Sequence, residues 1–482
     1  MAISGEGYLE DSDEVDYYCA ENAFDALIDF RFADFSNHLA LTEGKPTETF
    51  LKVMQVPFHR AFAFIINEPR HSPAALWILG LVNITVSLCL LFAFYVLLRQ
   101  VQIAYIPSVI GTLWLGVFIN FNLYTRHLLS YDLGLLFFVT ALLCLLYTNA
   151  NEIKRTQLAG LLTALGITTY HGYFMMGFII GIWLLFGNNF KRISITQRIK
   201  HFTIGFLPLL ILYEIIFYPG GHSFIGENLK ISETINQGSH QEGFLFAWLY
   251  LTKIEGIAGI ACLALFALAA IYFFTRKPPS PVSILIISGL VAYLIYATAV
   301  YYFHILVFYG RIWHMYYPFM VMGAVFILSK FKWIENRWTA AFLLCILCFQ
   351  YGINIQSLNS ITYPRKVLDK FGVLLPDGSV AEKHYKYTMR SVERYVSNEY
   401  FRKYAAKPLE NNNYIFTNTC FFSHFPDFFL TTYEPLNVPG RKVYSKLHFM
   451  SYPAYTFEYC STYGRSFFEN KKIHIEVIDP NE

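Results

Sequence analysis

The stretch PAALWILGLVNITVSLCLLFAFYVLL (73–98) decides the fold, because its 26 residues include no charged side chain. A helix rises about 1.5 Å per residue, and the hydrocarbon core of a bilayer is about 30 Å thick. The stretch is therefore long enough to cross a membrane, and we predict a transmembrane helix over 74–98. An apolar run of this length is typical of a transmembrane helix.

The rest of the chain repeats this pattern. Of its 482 residues, 55% are hydrophobic and 15% are charged, and the mean hydropathy is +0.39. Average soluble domains carry about 25% charged residues, so this composition excludes a disordered chain and argues against a soluble enzyme. A net charge of +3 is too small to indicate a nucleic-acid partner. The predicted spans are 74–98, 102–122, 129–148, 157–169, 171–187, 201–218, 245–274, 282–304, 310–329 and 338–354.

The loops between the spans set the topology. Lys and Arg concentrate in four alternate loops: Lys154 and Arg155; Lys191, Arg192, Arg198 and Lys200; Arg276 and Lys277; Lys330, Lys332 and Arg337. The polar break TTYHGY (168–173) divides the segment 157–187 into two short helices, although one long tilted helix is the alternative. A hairpin brings all four clusters to one face, which the positive-inside rule assigns to the cytoplasm.

This topology predicts three regions, namely an extracytoplasmic first loop (1–72), a multi-span core (73–354) and an extracytoplasmic tail (355–482). NYIFTN (413–418) and KIHIEVID (472–479) alternate like strands, and 383–407 has a helical pattern, so a small α/β domain is expected there. Its Cys420 and Cys460 are either a disulfide or two free thiols.

Nothing resembling a signal peptide precedes the first loop. Either the first span translocates its own N-terminus, or one upstream helix is missing. We favour the missing helix as the simpler explanation.

Acidic residues crowd the first loop in YLEDSDEVDYY (8–18), which includes Asp13 and Glu14. Acidic side chains at a helix start cap the helix and complement its dipole. The alternative is a general base held at the bilayer surface.

Other polar residues stand at helix ends on the same predicted face. Each has a structural explanation as well: arginine snorkelling, an Asp132 pair with Arg126 or a tyrosine, a hairpin turn at His171, and an aromatic belt of Trp313, Tyr316 and Tyr317. A carboxylate that deprotonates a hydroxyl, beside cations that neutralise a departing lipid phosphate, would explain them together. These candidates are His71, Arg126, His127, Asp132, Tyr170, His171, Arg311 and His314.

In this pattern the chain resembles the GT-C superfamily of integral-membrane glycosyltransferases, nearest to the family 39 branch of protein O-mannosyltransferases and bacterial aminoarabinose transferases. The resemblance covers roughly residues 8–330 and rests on the order and sidedness of degenerate motifs. The motifs are DSDEVDYYCAENAF (11–24), RHSPAALW (70–77), TRHLLSYD (125–132), Tyr170-His171 and GRIWHMYYP (310–318). The chain departs from the family in lacking its first helix and in keeping only one proline of the HPPL-like stretch.

The resemblance implies a polytopic α-helical enzyme of the bacterial inner membrane, with an extracytoplasmic active site. It implies inverting transfer of a hexosyl or pentosyl group from a polyprenyl-phosphate donor to a glycan, lipid or protein hydroxyl, without a cofactor and without a strict need for metal. Carried over, Asp13 is the general base and Glu14 its neighbour. Arg126 and Arg311 hold the lipid phosphate with help from His127, His171 or His71, and Asp132, Tyr170 and His314 support them.

Three other functions fit parts of the pattern. A surface-polysaccharide polymerase or ligase shares the polyprenyl carrier. A transporter or flippase of an anionic lipid or solute would place ionisable residues at mid-membrane depth, especially in broken helices. A non-catalytic scaffold would act through the tail.

Overall fold

The architecture comes from a computed structural model. It describes residues 16–40, 45–68, 70, 73–126, 130–147, 151–187, 190, 192–235, 244–275, 280–303, 305–306 and 310–361, together with five short strands in the tail. The predicted helix 383–407, the predicted strand 413–418 and both tail cysteines lie outside these residues.

Helices account for most of the described chain. They are α1 (Asp16–Ile28), α2 (Phe32–Ala40), α3 (Pro46–Ile65), α4 (Pro73–Gln100), α5 (Tyr105–Val117), α6 (Ile119–Arg126), α7 (Tyr131–Leu146), α8 (Glu152–Thr169), α9 (Phe174–Phe186), α10 (Ile195–Phe217), α11 (Phe224–Ile235), α12 (Phe244–Leu249), α13 (Gly256–Phe274), α14 (Pro281–Phe303), α15 (Gly310–His314), α16 (Tyr317–Leu328) and α17 (Arg337–Ile361).

The chain is a helical membrane protein. Four stretches are long and apolar enough to cross a bilayer: Trp77–Gln100, Ile195–Gly220, Gly256–Phe274 and Pro281–Phe303. Each of the ten predicted ranges contains a helix, but most of these helices are shorter than a full span. The contacts divide the chain into two units, one of 16–58 and 81–352 and the other of 1–15, 59–80 and 353–482. Everything that follows about helix packing concerns the first unit.

Three predicted spans are interrupted rather than continuous. The range 102–122 breaks at Phe118, where the backbone leaves helical geometry (φ −58°, ψ 137°) between α5 and α6. The range 245–274 contains a five-residue π-helical turn, Tyr250–Ile254, followed by Gly256 at φ +60°. The range 310–329 is divided between α15 and α16, and Pro318 lies in the first turn of α16. A buried carboxylate, described below, supplies the physical reason for the first break.

Residues 152–187 form a hairpin, as the loop charges predict. The helix stops at Tyr170, and residues His171–Tyr173 make one 3₁₀ turn before α9. The Glu152 carboxylate at the start of α8 accepts hydrogen bonds from the backbone N–H groups of Arg192 (3.0 Å) and Ile193 (3.1 Å), just beyond α9. The beginning of α8 and the end of α9 therefore lie together.

Three described basic residues, Arg155, Arg198 and Lys330, lie at one end of the helices, which we call the basic end. The guanidinium groups of Arg155 and Arg198 lie over the Phe190 ring, 4.7 and 4.2 Å from its centroid, and the Lys330 ammonium lies 4.4 Å from that of Phe326. Phe118 packs on Tyr317 while Gly111 lies against Val325, so α5 and α16 run antiparallel. This pairing brings Tyr105, which follows the end of α4, to the level of Lys330.

Helices α1 to α3 lie at the opposite end. Their buried residues Ala23, Phe35 and Val53 pack against Tyr213 and Phe217, near the end of α10. The Ser36 hydroxyl donates to the Phe217 carbonyl over 2.7 Å. Nineteen residues of helix, about 28 Å at 1.5 Å each, separate Arg198 from Phe217.

Five strands are described in the tail: β1 (Val373–Leu374), β2 (Val380–Ala381), β3 (Phe429–Thr432), β4 (Val443–Met450) and β5 (Lys472–Ile478). β1 pairs with β2, and β5 pairs antiparallel with both β3 and β4. β5 falls within the range predicted as a strand, and a complete α/β domain remains a prediction.

Candidate functional site

A buried acid and a buried histidine form the centre of the candidate site. Asp132, in the first turn of α7, is 4% exposed, and His314, the last residue of α15, is fully buried. His314 Nε2 lies 2.8 Å from Asp132 Oδ1, and the Ser87 hydroxyl of α4 donates to Asp132 Oδ2. Fourteen helical residues, about 21 Å, separate Asp132 from Leu146 near the basic end. The pair therefore lies in the half of the helices away from the basic end.

The other ring nitrogen of His314 faces an amide. Its Nδ1 lies 2.7 Å from Asn120 Oδ1, while Asn120 Nδ2 donates to the Tyr250 hydroxyl over 2.9 Å. Both ring nitrogens thus face oxygen atoms.

A second buried acid, Glu255, holds the helix break at Phe118. It is fully buried and directly precedes α13. Its Oε2 accepts from the N–H of Ile119 (2.7 Å), and its Oε1 accepts from the N–H of Asn120 (3.0 Å) and from the hydroxyl of Tyr317 (2.8 Å). The first amides of a helix have no partner within that helix, and a carboxylate complements its dipole. Glu255 therefore caps α6 from another helix and fixes Asn120 beside His314.

Turns from three distant parts of the chain converge on this centre. The Tyr131 ring, next to Asp132, packs edge-on against Tyr170 with 4.6 Å between centroids. Gly172, in the 3₁₀ turn, lies against the side chain of Ile312 in α15, and a Cβ there would approach Ile312 Cδ1 to 2.6 Å. α15 also carries His314, the partner of Asp132. The sequence predicts that these turns share one face, and they are in contact.

The predicted site residues divide into three groups. The structure describes Asp132, Tyr170 and His314, and all three are buried. It also describes His171, which is half-buried and whose ring centroid lies 6.4 Å from that of Phe224. Arg126 ends α6 and Arg311 lies in α15, two neighbouring helices, but their side chains are outside the description. Asp13, Glu14, His71 and His127 are outside it altogether.

Several residues of the centre escaped the sequence analysis. Glu255 was absorbed into the predicted span 245–274, although an acid followed by glycine in an apolar run is a detectable signal. For Tyr317, Tyr316 and Trp313 the sequence offers an interfacial aromatic belt as the structural explanation. They are instead at most 3% exposed, and Tyr317 serves the Glu255 carboxylate. For Asp132, the structure adds His314 and Ser87 as partners, and the expected pair with Arg126 or a tyrosine stays a prediction because the Arg126 side chain lies outside the description.

An apolar cavity of about 410 Å³ lies beside the centre. It lies between α12, the π-helical turn, α13, α14 and the segment around α15 and α16. Aromatic and aliphatic side chains dominate its wall, including Trp248, Phe266, Tyr293, Trp313 and Tyr316. Leu251, next to Tyr250 of the polar network, also lines it. A volume of this size is typical of sites for small organic ligands.

Comparison of the chain with protein-family models, with characterised proteins and with solved structures gives no match. Within the described part of the chain, no group of three or more His, Cys, Asp or Glu side chains is gathered as a metal site would require.

Proposed function

We propose that the chain is an inverting glycosyltransferase that moves a hexosyl or pentosyl group from a polyprenyl-phosphate donor to a glycan, lipid or protein hydroxyl outside the cytoplasm. The observation that carries the proposal is the convergence of the turns at 130–132, 170–173 and 310–314 around Asp132 and His314. Those turns come from distant parts of the chain and lie away from the basic end. The proposal includes ten spans, a bacterial inner-membrane location and an extracytoplasmic tail domain.

The transfer step follows from the residue types. The acceptor oxygen attacks the anomeric carbon from the side opposite the phosphate and forms the new C–O bond. The bond between that carbon and the phosphate oxygen breaks, and its electron pair stays on the polyprenyl phosphate. Asp13 takes the acceptor proton, and Arg126 and Arg311 neutralise the phosphate as its charge grows. Inversion results because a single displacement occurs.

The apolar cavity supports a lipid donor. Its wall is almost entirely hydrocarbon and aromatic, which suits a prenyl chain and not a nucleotide or a charged solute. It also adjoins the π-helical turn that carries Tyr250, so a lipid tail there would reach the polar centre. A polymerase or ligase of surface polysaccharide would use the same cavity and differ only in its acceptor.

The test is a deletion strain complemented with single variants, read by mass spectrometry of membrane glycolipids and envelope glycans. We expect the deletion to remove one sugar from the glycans and to leave its lipid-linked form accumulated. Asp13→Asn should fail to restore the sugar, because an amide cannot accept the proton. Asp29→Asn, at an exposed carboxylate paired with Arg31, is the matched control and should restore it. Full restoration of the sugar by Asp13→Asn would show that Asp13 is not the general base.

One observation favours a second candidate, a transporter or flippase of an anionic lipid. α5 and α6 form a broken helix capped by a buried acid, and Asp132 and His314 are buried nearby, which is the arrangement that transporters use at their binding sites. Counterflow of labelled membrane lipid in vesicles, with no new covalent product, would establish transport. Loss of a sugar without counterflow would establish transfer.

A further inference from the structure

The first part of α3 exposes apolar side chains on one face. Of residues 45–58, four are exposed, and all four are apolar: Leu51, Met54, Pro57 and Phe58. Leu51, Met54 and Phe58 follow each other at intervals of three and four residues, so they share one face of the helix. Met54 is 60% exposed and Phe58 is 72% exposed. We call Leu51, Met54 and Phe58 the α3 stripe.

The charged side chains of the same segment are buried. Lys45, Glu48 and Lys52 are each at most 8% exposed. Lys52 Nζ lies 2.8 Å from Glu48 Oε1, one helical turn away, and such a pair makes burial of the two charges tolerable. A helix at a boundary between protein and water does the opposite, because it turns its apolar face to the core and its charges to the solvent. The arrangement in α3 therefore indicates that the medium around the α3 stripe is apolar.

A contact with α10 shows how deep the start of α3 lies. The Thr47 hydroxyl lies 2.5 Å from the hydroxyl of Tyr213 in α10 and 2.6 Å from that of Thr168 in α8. Tyr213 belongs to the candidate span Ile195–Gly220 and precedes its end by seven residues, about 10 Å of helix. Thr47 therefore lies within the length of this span and not beyond its end.

A contact with α4 gives the same depth independently. Leu51 and Gln55 line one small cavity together with Val82 and Val86 of α4. These two valines lie five and nine residues inside the start of the candidate span Trp77–Gln100, about 8 and 14 Å. The half of the hydrocarbon core that belongs to one leaflet is about 15 Å thick. Both spans thus place this part of α3 at the level of acyl chains, on the side away from the basic end.

α3 is not itself among the stretches that are long and apolar enough to cross a bilayer. A helix at this depth that turns one apolar face outward fits insertion into a single leaflet. We propose that residues 46–58 of α3 are inserted into the leaflet away from the basic end, and that the α3 stripe contacts the acyl chains of its lipids. The proposal goes beyond the proposed function and holds whether the chain is a transferase or a transporter. It assigns to the membrane one helix of the predicted extracytoplasmic first loop (1–72).

The first experiment measures which medium surrounds the stripe, on the full chain in nanodiscs and in a background whose native cysteines are replaced by serine. A nitroxide is attached to Met54→Cys or to Phe58→Cys, and its collisions with oxygen, which enters lipid, and with a nickel chelate, which stays in water, are measured by power saturation. Phe92→Cys, at a 68% exposed position within the span of α4, is the lipid reference. Lys230→Cys, at a 71% exposed side chain of α11, is the water reference.

We expect both stripe positions to collide with oxygen as often as Phe92→Cys does and to be equally protected from the nickel chelate. Their ratio of the two collision rates should correspond to a depth of about 10 Å. Access of the nickel chelate as high as at Lys230→Cys would place the stripe in water and overturn the proposal. Low access of both reagents would show that a second copy of the chain or another protein covers the stripe, which also overturns it.

The second experiment places a charge on the stripe. Met54→Lys should shift the unfolding equilibrium in nanodiscs toward the unfolded state by about tenfold or more, because an ammonium group inside the hydrocarbon core is costly. Met54→Leu keeps the apolar surface and should leave the equilibrium nearly unchanged. Lys230→Met, the reverse exchange at the exposed position of α11, is the matched control and should also have little effect.

The same exchange has a different result in water, where surface substitutions hardly change stability. A Met54→Lys variant that unfolds like the wild type would therefore contradict insertion of α3. If Met54→Lys does not fold at all while Met54→Leu does, the loss agrees with insertion, and the collision rates at Met54→Cys and Phe58→Cys then decide between lipid and a protein cover.

Discussion

At the residue scale, the centre of the molecule depends on a few polar groups in an apolar surrounding. Asp132 has partners on two other elements, Ser87 of α4 and His314 of α15, and Glu255 accepts three hydrogen bonds. Each of these carboxylates is tolerable in the interior because donors surround it. Removing one partner therefore leaves the others buried and unsatisfied.

Replacement of Asp132 tests this dependence. We expect Asp132→Ala to lower the free energy of unfolding by about 1–3 kcal/mol, since it removes the buried acceptor that faces His314 Nε2 and the Ser87 hydroxyl. Asp132→Asn keeps a side-chain oxygen that can face His314 Nε2, so it should lower the free energy of unfolding by less than Asp132→Ala does. Both are measured by unfolding in mixed micelles.

Glu227→Gln is the control for that measurement. Lys230 Nζ lies 2.8 Å from Glu227 Oε1 at the surface, and it holds the pKa of the Glu227 carboxyl below the usual value. An exposed pair of this kind contributes little to the free energy of unfolding. We expect no measurable change. Asp132→Ala with the stability of the wild type would mean that the pair does not hold α7 to α15.

At the element scale, α8 and α10 pack closely against each other at glycine residues. Gly160 of α8 lies against the Phe202 carbonyl of α10, and Gly205 of α10 lies against the Gln157 carbonyl of α8. In each case a Cβ would collide with backbone oxygen, which cannot rotate away. Small residues at a helix crossing allow this close approach in membrane proteins.

Gly160→Ala should therefore destabilise the protein by about 1–3 kcal/mol, as overpacking does, despite the better helix propensity of alanine. Gly181→Ala in α9 is the matched control, because no atom lies within 4 Å of its added Cβ. That variant should be neutral or stabilising by up to about 1 kcal/mol. Unfolding of both variants side by side in nanodiscs checks the pair, and equal effects would argue against the glycine contact.

The helices themselves were predictable from hydropathy, whereas their interruptions were not. The break at Phe118 depends on Glu255 accepting from the amides of Ile119 and Asn120, more than 130 positions away in the sequence. Hydrophobic periodicity depends only on residues that are close in the sequence. A helix cap supplied by a distant residue therefore leaves no pattern in the sequence around the break. The hairpin at 168–173 was predictable because its polar break and the loop charges are both local.

At the scale of the whole molecule, the charge distribution of the loops agrees with the packing. Arg155, Arg198 and Lys330 lie at the basic end, and α1, α2 and α11 lie about one bilayer thickness away along α10. The location of Asp132, Tyr170 and His314 at the other end could be predicted from loop charge alone. The residues that contact them could be identified only from the three-dimensional structure.

Sidedness is measurable with an impermeant maleimide on intact cells, in a background whose native cysteines are replaced by serine. Lys230→Cys, at an exposed position in α11, should be labelled without permeabilisation. Lys154→Cys, at the basic end, should be labelled only after permeabilisation, because the positive-inside rule assigns that end to the cytoplasm. Labelling of both from outside would contradict the topology.

Helix α8 has a consequence for how the protein is made. It carries Glu152, Lys154 and Arg155 at its start and is not among the helices apolar enough to span a bilayer, yet it packs between α7 and α10. A nascent chain that ends before α10 would leave the side of α8 that carries Gln157 and Gly160 without the helix that packs against it. Stable insertion of α8 therefore has to await synthesis of α10, which makes residues 152–217 a single unit of biogenesis.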